Sequence, residues 1–232
     1  MVIYAAGEYA RRGTYHKHLD PDWSFAPVYR RKMRLVRELL DRAGPQTAVL
    51  DAGCGEGVLV EEYRARGFRI QGVDRDFASG AVLRGDLLAL PFGSDSFDMV
   101  LLLDVIEHFP FERQMPLLRE VRRVLRTGGS LVLSVPNLAH LGSRWKFAWT
   151  GKLGRTGSVE YHPGDRPVHE YLEMLPSAGL ALARRRGIFP TVPGLYQLVR
   201  RHPARMGWLV GWVGWLRVPG WCFLNLLECR AV

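Results

Sequence analysis

The stretch Val49-Leu50-Asp51-Ala52-Gly53-Cys54-Gly55-Glu56-Gly57 decides the fold. It is a short apolar run followed by three alternating glycines, and residues 58–66 then continue with helical periodicity. Glycines at a strand-to-helix turn let backbone N–H groups approach a ligand, and the helix N-terminus favours negative charge there. In an open parallel sheet, ligands bind beyond the carboxyl ends of the strands, at turns of this kind. Turns need glycine for their own sake, so the triplet alone leaves a purely conformational reading open.

Working outward, apolar runs predict strands at 68–73, ending in Asp74, at 81–84, ending near Asp86, and at 97–103, ending at Asp104. Further strands are predicted at 130–135, halted by Pro136, at 180–189 and at 221–230. Helical spacing covers 111–125, closed by Gly128 and Gly129, and 168–178. Upstream, a helix is expected to start near Pro27 with Ser24 or a neighbour as cap. It carries Met33, Val36, Leu39 and Leu40 on one face and stops at 43–45. Strands alternating with helices specify an α/β chain: a doubly wound, mostly parallel seven-stranded sheet with helices on both faces. Residues 1–45 are read as a lid and helix, 46–136 as the binding core, and 137–232 as the acceptor side of one domain. Within the last part, 137–167 is expected to be irregular and 195–217 to form one or two helices.

Composition narrows the class. A chain of 232 residues with 47% hydrophobic content buries a single sizeable core, which excludes disorder and coiled coil. Cys54, Cys222 and Cys229 are too few and too scattered for a disulfide framework or a tetrahedral zinc site. Residues 1–13 lack a basic leader followed by an apolar core, so a reducing, cytoplasmic setting is expected. The net charge is +9, and residues 180–232 hold eight arginines against one acid, Glu228. A nucleic-acid binder would spread its charge over a reading surface, so nucleic acid is disfavoured as a partner.

Three acids fall at successive strand ends. Asp74 lies 23 residues after Asp51, where an acid accepts hydrogen bonds from a ribose diol. Val58 stands where a dinucleotide fingerprint wants a third small residue, so the pocket suits a nucleoside without a phosphate chain. Asp86 is placed to receive an adenine amine. Each acid taken alone reads equally as a loop cap.

Residues 49–137 resemble the core of the class I S-adenosylmethionine (SAM) dependent methyltransferases, which are Rossmann-like. The matching stretches are VLDAGCGEG (49–57), GVD (72–74), GDLLALPFGSDSFDMV (85–100), DVIEHF (104–109) and GGSLVLSVPN (128–137). The resemblance implies SAM as cofactor, with Gly53, Gly55 and Gly57 at its methionine moiety and Asp74 at the ribose. Asp86 and Leu87 would hold the adenine, the Leu103 backbone would lie near the amino-acid end, and Asp51 would orient the loop. One departure stands out: only eleven residues separate Asp74 from Asp86, so the helix usual there is reduced to a turn.

Methyl transfer from a sulfonium needs alignment and water exclusion more than covalent catalysis, with a base for a hydroxyl acceptor. Asp104 and His108 are the candidate catalytic pair, sharing a face after the fourth strand; a packing role for His108 is the alternative. The same segment resembles the ubiquinone-biosynthesis O-methyltransferases, by which Asp104, Glu107 and His108 could be metal ligands. The residues themselves give thin support for that, and no metal is expected. His162, Asp165, Arg166 and His169 read either as an acceptor wall or as a polar loop. Residues 9–31, with Tyr15, His16, Trp23, Tyr29, Arg30 and Arg31, read as a lid or as ordinary packing.

Residues 206–216 read MGWLVGWVGWL, with Trp208, Trp212 and Trp215 at i, i+4 and i+7 of a helix too short to span a bilayer. Arg200, Arg201, His202 and Arg205 lie just upstream. Residues 200–217 therefore read as an interfacial segment on anionic lipid, or as a packed helix or homodimer contact. The expected function is methyl transfer to a small or lipid-like acceptor, at oxygen. Its rivals are a nucleic-acid methyltransferase, a non-catalytic SAM-binding or membrane-docking protein, and a nicotinamide dehydrogenase.

Overall fold

The computed structural model describes residues 19–155, 159–212 and 218–232. Seven strands form one sheet in the order β3-β2-β1-β4-β5-β7-β6. They are β1 (Val49–Ala52), β2 (Ile70–Asp74), β3 (Val82–Arg84), β4 (Phe97–Leu103), β5 (Leu125–Pro136), β6 (Leu180–Pro190) and β7 (Cys222–Ala231). The first five pair in parallel, and β7 runs antiparallel to both β5 and β6. The Rossmann-like, mostly parallel sheet is thus present, with one reversed strand near its edge.

Strand pleating sends alternate residues to opposite faces, and two cores result. Leu50, Ala52, Val100, Leu102, Leu131 and Leu133 pack with α3 (Phe111–Val124) and α5 (Val168–Ser177). Their neighbours Val49, Met99, Leu101 and Val132 pack on the other side with α1 (Ala26–Ala43) and α2 (Val58–Ala65). That second face also takes α6 (Leu195–Arg201), α7 (Pro203–Met206) and α8 (Leu209–Trp212), through Val199, Leu209 and Val210.

Several sequence expectations are corrected. The α1 N-terminus is set by Pro27 in the first turn, with Phe25 at the cap position and no side-chain cap bond, so Ser24 does not cap it. The α3 helix ends at Val124 rather than at the glycines, because Leu125 already pairs with Phe97 and its side chain is in the core. Residues 137–167 are not irregular throughout: α4 (Leu141–Thr150) lies there, capped by His140, whose Nδ1 accepts from the Ser143 N–H at 3.1 Å. Residues 195–212 form three short helices, since Pro203 and Gly207 interrupt the run. Between Asp74 and Val82 there is no helix, only bends. Tyr15, His16 and Trp215 lie outside the described residues.

The carboxyl ends of β1, β2, β3, β4 and β5 all open onto one edge, where residues 53–57, 75–81, 85–88, 104–110 and the stretch following β5 at 137–140 begin. The α1 helix reaches the same edge through Lys32.

Candidate functional site

The glycine loop leaves β1 with Gly53, Gly55 and Gly57 at φ of 79°, 54° and 75°. Gly53 N–H donates to the Val73 carbonyl at 2.8 Å and Gly57 N–H to the Cys54 carbonyl at 3.0 Å, which ties the loop to β2. Asp74 holds the other side. Its Oδ2 accepts from the Gly55 N–H at 2.8 Å, and its Oδ1 accepts from the N–H groups of Asp76 and Phe77 at 2.8 and 3.2 Å. One carboxylate therefore fixes both the glycine loop and the turn that replaces the missing helix.

Gly53 is required twice over. An added Cβ would sit 2.5 Å from Val105 Cγ2, at a φ that L-residues rarely adopt. Gly53→Ala is expected to cost about 2–4 kcal/mol, combining left-handed strain with the clash. By calorimetric melting, Val105→Ala placed on top should recover the clash component and leave the strain.

Leu87 is buried against this loop, and Asp86 Oδ1 accepts the Leu88 N–H at 2.9 Å, closing a small turn after β3. Asp51 is buried in β1; desolvation pushes its pKa up to about 7, opposed by the nearby Lys32 ammonium. Leu103, half-buried, ends β4 beside Ser134.

Lys32 is the residue sequence reasoning missed. It occupies the buried stripe of α1 with Val28, Leu35, Val36 and Leu39, and is only 3% exposed. Its ammonium pairs with Asp104 Oδ2 and lies 5.0 Å from the Tyr29 ring centroid. The Ser134 hydroxyl donates to Asp104 Oδ1 while its oxygen accepts the Asp104 N–H at 2.8 Å. Burial pushes the Asp104 carboxyl up, but Lys32 and Ser134 outweigh it and hold the pKa below the usual value. Asp104 is therefore a fixed anion. A lysine interrupting an otherwise apolar helical stripe was the signal available in the sequence.

Asp104 takes a left-handed φ of 54° and leads into the 3₁₀ turn Ile106–His108. His108 Nδ1 donates to the Tyr161 carbonyl at 2.8 Å, which puts the ring lone pair on Nε2. The His162 ring stands edge-on to it at 4.7 Å, and His162 Nδ1 lies 3.5 Å from Asp165. Burial, followed by the neighbouring His162, lowers the His108 pKa to about 4, so the imidazole is neutral at pH 7.

The insertion is fastened to this turn by Gln114. Its amide donates to the carbonyls of Ile106, Phe109 and Gly164, at 3.2, 3.1 and 2.8 Å, and its Oε1 accepts from Arg166 Nε at 2.7 Å. A Cβ on Gly164 would stand 2.0 Å from the Phe109 carbonyl, so glycine alone permits that approach. Arg166 and Asp165 are thus parts of a packed wall. His169 lies in the first turn of α5, and among the described residues no hydrogen bond or ion pair joins it to the His108 turn.

At this edge two buried carboxylate oxygens have no hydrogen-bond partner among the described residues, Glu56 Oε2 in the glycine loop and Glu107 Oε2 in the turn. Desolvation, with Asp104 adding to it, raises the Glu107 pKa well above the ordinary value. Among the described residues no group of three or more His, Cys, Asp or Glu side chains is arranged to hold a metal. Asp104 is spent on Lys32 and Ser134, which removes it from the metal set that the resemblance implied.

Residues 50–133 match the family model described as a methyltransferase domain. A probable S-adenosylmethionine-dependent methyltransferase of Mycolicibacterium smegmatis is 32% identical over 165 residues, covering 66% of this chain and 59% of that protein. A ubiquinone biosynthesis O-methyltransferase of Pseudomonas paraeruginosa is 30% identical over 138 residues, covering 53% and 59%. The chain therefore spans less than two thirds of the length of these curated relatives. Among solved structures, the SAH-bound magnesium protoporphyrin IX methyltransferase of Synechocystis superposes with a TM-score of 0.59 at 19% identity, covering 90% of this chain and 86% of that one. With the glycine loop, the acid-ended strands and the reversed seventh strand in place, residues 50–133 are a methyltransferase domain of the class I SAM-dependent kind.

Proposed function

We propose that the protein transfers a methyl group from SAM to an oxygen of a small or lipid-like acceptor, with His108 as base. The observation that carries the reading is the glycine loop locked in left-handed backbone by Asp74 at the carboxyl edge. Gly53, Gly55 and Gly57 would receive the methionine moiety, Asp74 the ribose, and Asp86 with Leu87 the adenine. The Leu103 backbone would face the amino-acid end, with Asp51 orienting the loop from beneath. The orphaned Glu56 oxygen fits a cationic amino group beside the loop, an acceptor awaiting a donor.

When bound, SAM supplies a methyl group on a sulfonium, already activated for in-line displacement. The chain's own residues do the rest. His108 Nε2 takes the proton of an acceptor hydroxyl as that oxygen gains the methyl, and the fixed Asp104 anion favours the imidazolium that forms. The His162–Asp165 wall and the lid around Tyr29 keep water from the reacting atoms. Oxygen as the atom methylated is supported by the O-methyltransferase name of the Pseudomonas relative.

SAM, and not NAD, should raise the melting temperature, which separates this reading from a dehydrogenase. Membrane and soluble fractions incubated with methyl-labelled SAM would then show which acceptor pool takes label; label in neither would leave only a SAM-binding protein. His108→Ala should lower turnover by about 10²–10⁴ with SAM affinity unchanged. The base works in its neutral form, so the wild-type rate should be flat from pH 6 to 8 and fall only as pH drops toward about 4. A limb near pH 6.5 would show that another group is the base.

A further inference from the structure

Five of the six tryptophans among the described residues are exposed. Four of them lie on two segments: Trp145 (56%) and Trp149 (75%) on α4, and Trp208 (64%) and Trp212 (68%) just before and at the end of α8. The sequence had offered packing on the sheet as one use for the second set. In the structure Leu209 and Val210 supply the packing face instead, and the indoles point away from it.

The α4 helix is the stranger of the two. Ser143 is its only buried residue, and Arg144 through Thr150 are exposed without a break. An isolated ten-residue helix is marginal in water, because helices of that length depend on a buried apolar face. This one has no such face within the described residues, and its two indoles meet only each other, tilted by 57° with centroids 5.9 Å apart. Its root is well held: the Thr191 hydroxyl oxygen accepts the Gly142 N–H at 2.9 Å and donates to the Trp221 carbonyl at 3.1 Å. Thr191 follows β6, so α4, the approach to α6 and the turn bearing Trp221 start from one place.

Both aromatic segments are basic and free of acid. Residues 141–155 contain Arg144, Lys146, Lys152 and Arg155, residues 191–218 contain four arginines, and neither contains an Asp or Glu. A second copy of the chain, joined by a twofold axis, would set these basic segments against themselves. An anionic, apolar-cored surface complements both properties at once.

We infer that α4 and the segment 200–212 together form a docking surface for an anionic lipid bilayer, with their tryptophans at the headgroup level and Arg144, Lys146, Arg201 and Arg205 on the phosphates. Among the described residues no helix is long and apolar enough to cross a membrane, so the contact is interfacial. The surface borders the edge proposed above as the acceptor side, and the inference rests on that reading only for its consequence, delivery of a lipid-borne acceptor.

The test is co-sedimentation of the full chain, without SAM, with phosphatidylcholine vesicles containing or lacking phosphatidylglycerol. Binding is expected only with phosphatidylglycerol. It should weaken by about tenfold or more in Trp145→Ala/Trp149→Ala and again in Trp208→Ala/Trp212→Ala, and fall with salt. Both variants should bind SAM as the wild type does by calorimetry, which shows that they are folded. No vesicle binding, or equal binding to pure phosphatidylcholine, would overturn the inference. So would a lipid-free dimer dissolved by the tryptophan substitutions, or oligonucleotide binding lost in them while vesicle binding stays. Failure of the wild type to bind SAM would instead sink the proposed function and leave the docking result standing.

Discussion

Lys32→Met is expected to destabilise the protein by about 2–3 kcal/mol at pH 7, lowering the melting temperature by about 4–12 °C. Removing one partner of a buried ion pair strands the other, and such losses reach about 3–5 kcal/mol when both groups are fully dry. Here Asp104 keeps 33% of its side chain in solvent and retains the Ser134 hydroxyl, so the lower figure applies. Methionine matches the length of the lysine stem, so the change isolates the charge from the packing. The pH dependence carries the proof. Asp104 has a depressed pKa in the folded state, so its contribution is present above the unfolded value and is lost as pH falls through the folded one. The gap between wild type and variant should be widest near neutrality and close on acidification. Asp51, already raised by burial to about 7, loses the opposing ammonium as well and should titrate higher still. A melting difference that stayed constant down to acid pH would show that Lys32 acts through its stem alone.

Asp74→Ala carries the largest expected effect on binding. Its carboxylate accepts three N–H groups, one from the glycine loop and two from the following turn, so the substitution removes the proposed ribose acceptor and releases both walls. Hydrogen bonds to a charged group are worth about 1.5–3 kcal/mol each, so SAM affinity should fall by about 10²-fold or more by calorimetry. Asp74→Asn keeps one acceptor oxygen and should lie between. Unchanged affinity in the alanine variant would refute the assignment of this strand end.

The sheet was legible because its strands are buried on both faces and read as continuous apolar runs, as in 97–103. The glycine loop was legible because its chemistry is local: three glycines within five residues, each at a positive φ. What the sequence hid is non-local. Lys32 meets Asp104 across 72 residues, and Gln114 reaches Gly164 across 50, so no window of sequence contains either pair. The α4 helix escaped because it lacks the amphipathic period that marks a helix packed on its own protein. Its exposed tryptophans and basic residues follow no core, and a search for apolar stripes passes over them. His108 was found by position, but its low pKa comes from burial and the neighbouring His162, working against the Tyr161 carbonyl that raises it, and both neighbours belong to a segment read as irregular.

The Gln114 amide and the pinched Gly164 have a bearing on how such enzymes diversify. The segment that would select the acceptor is bolted to the turn that would carry the base, so the two cannot drift apart independently. A chimera that exchanges 137–167 for another protein's loop would keep its proton-transfer geometry only if a glutamine and a glycine met at the same junction. New acceptor preferences on this scaffold are then reached most cheaply by altering residues beyond that bolt, leaving the fastening itself untouched.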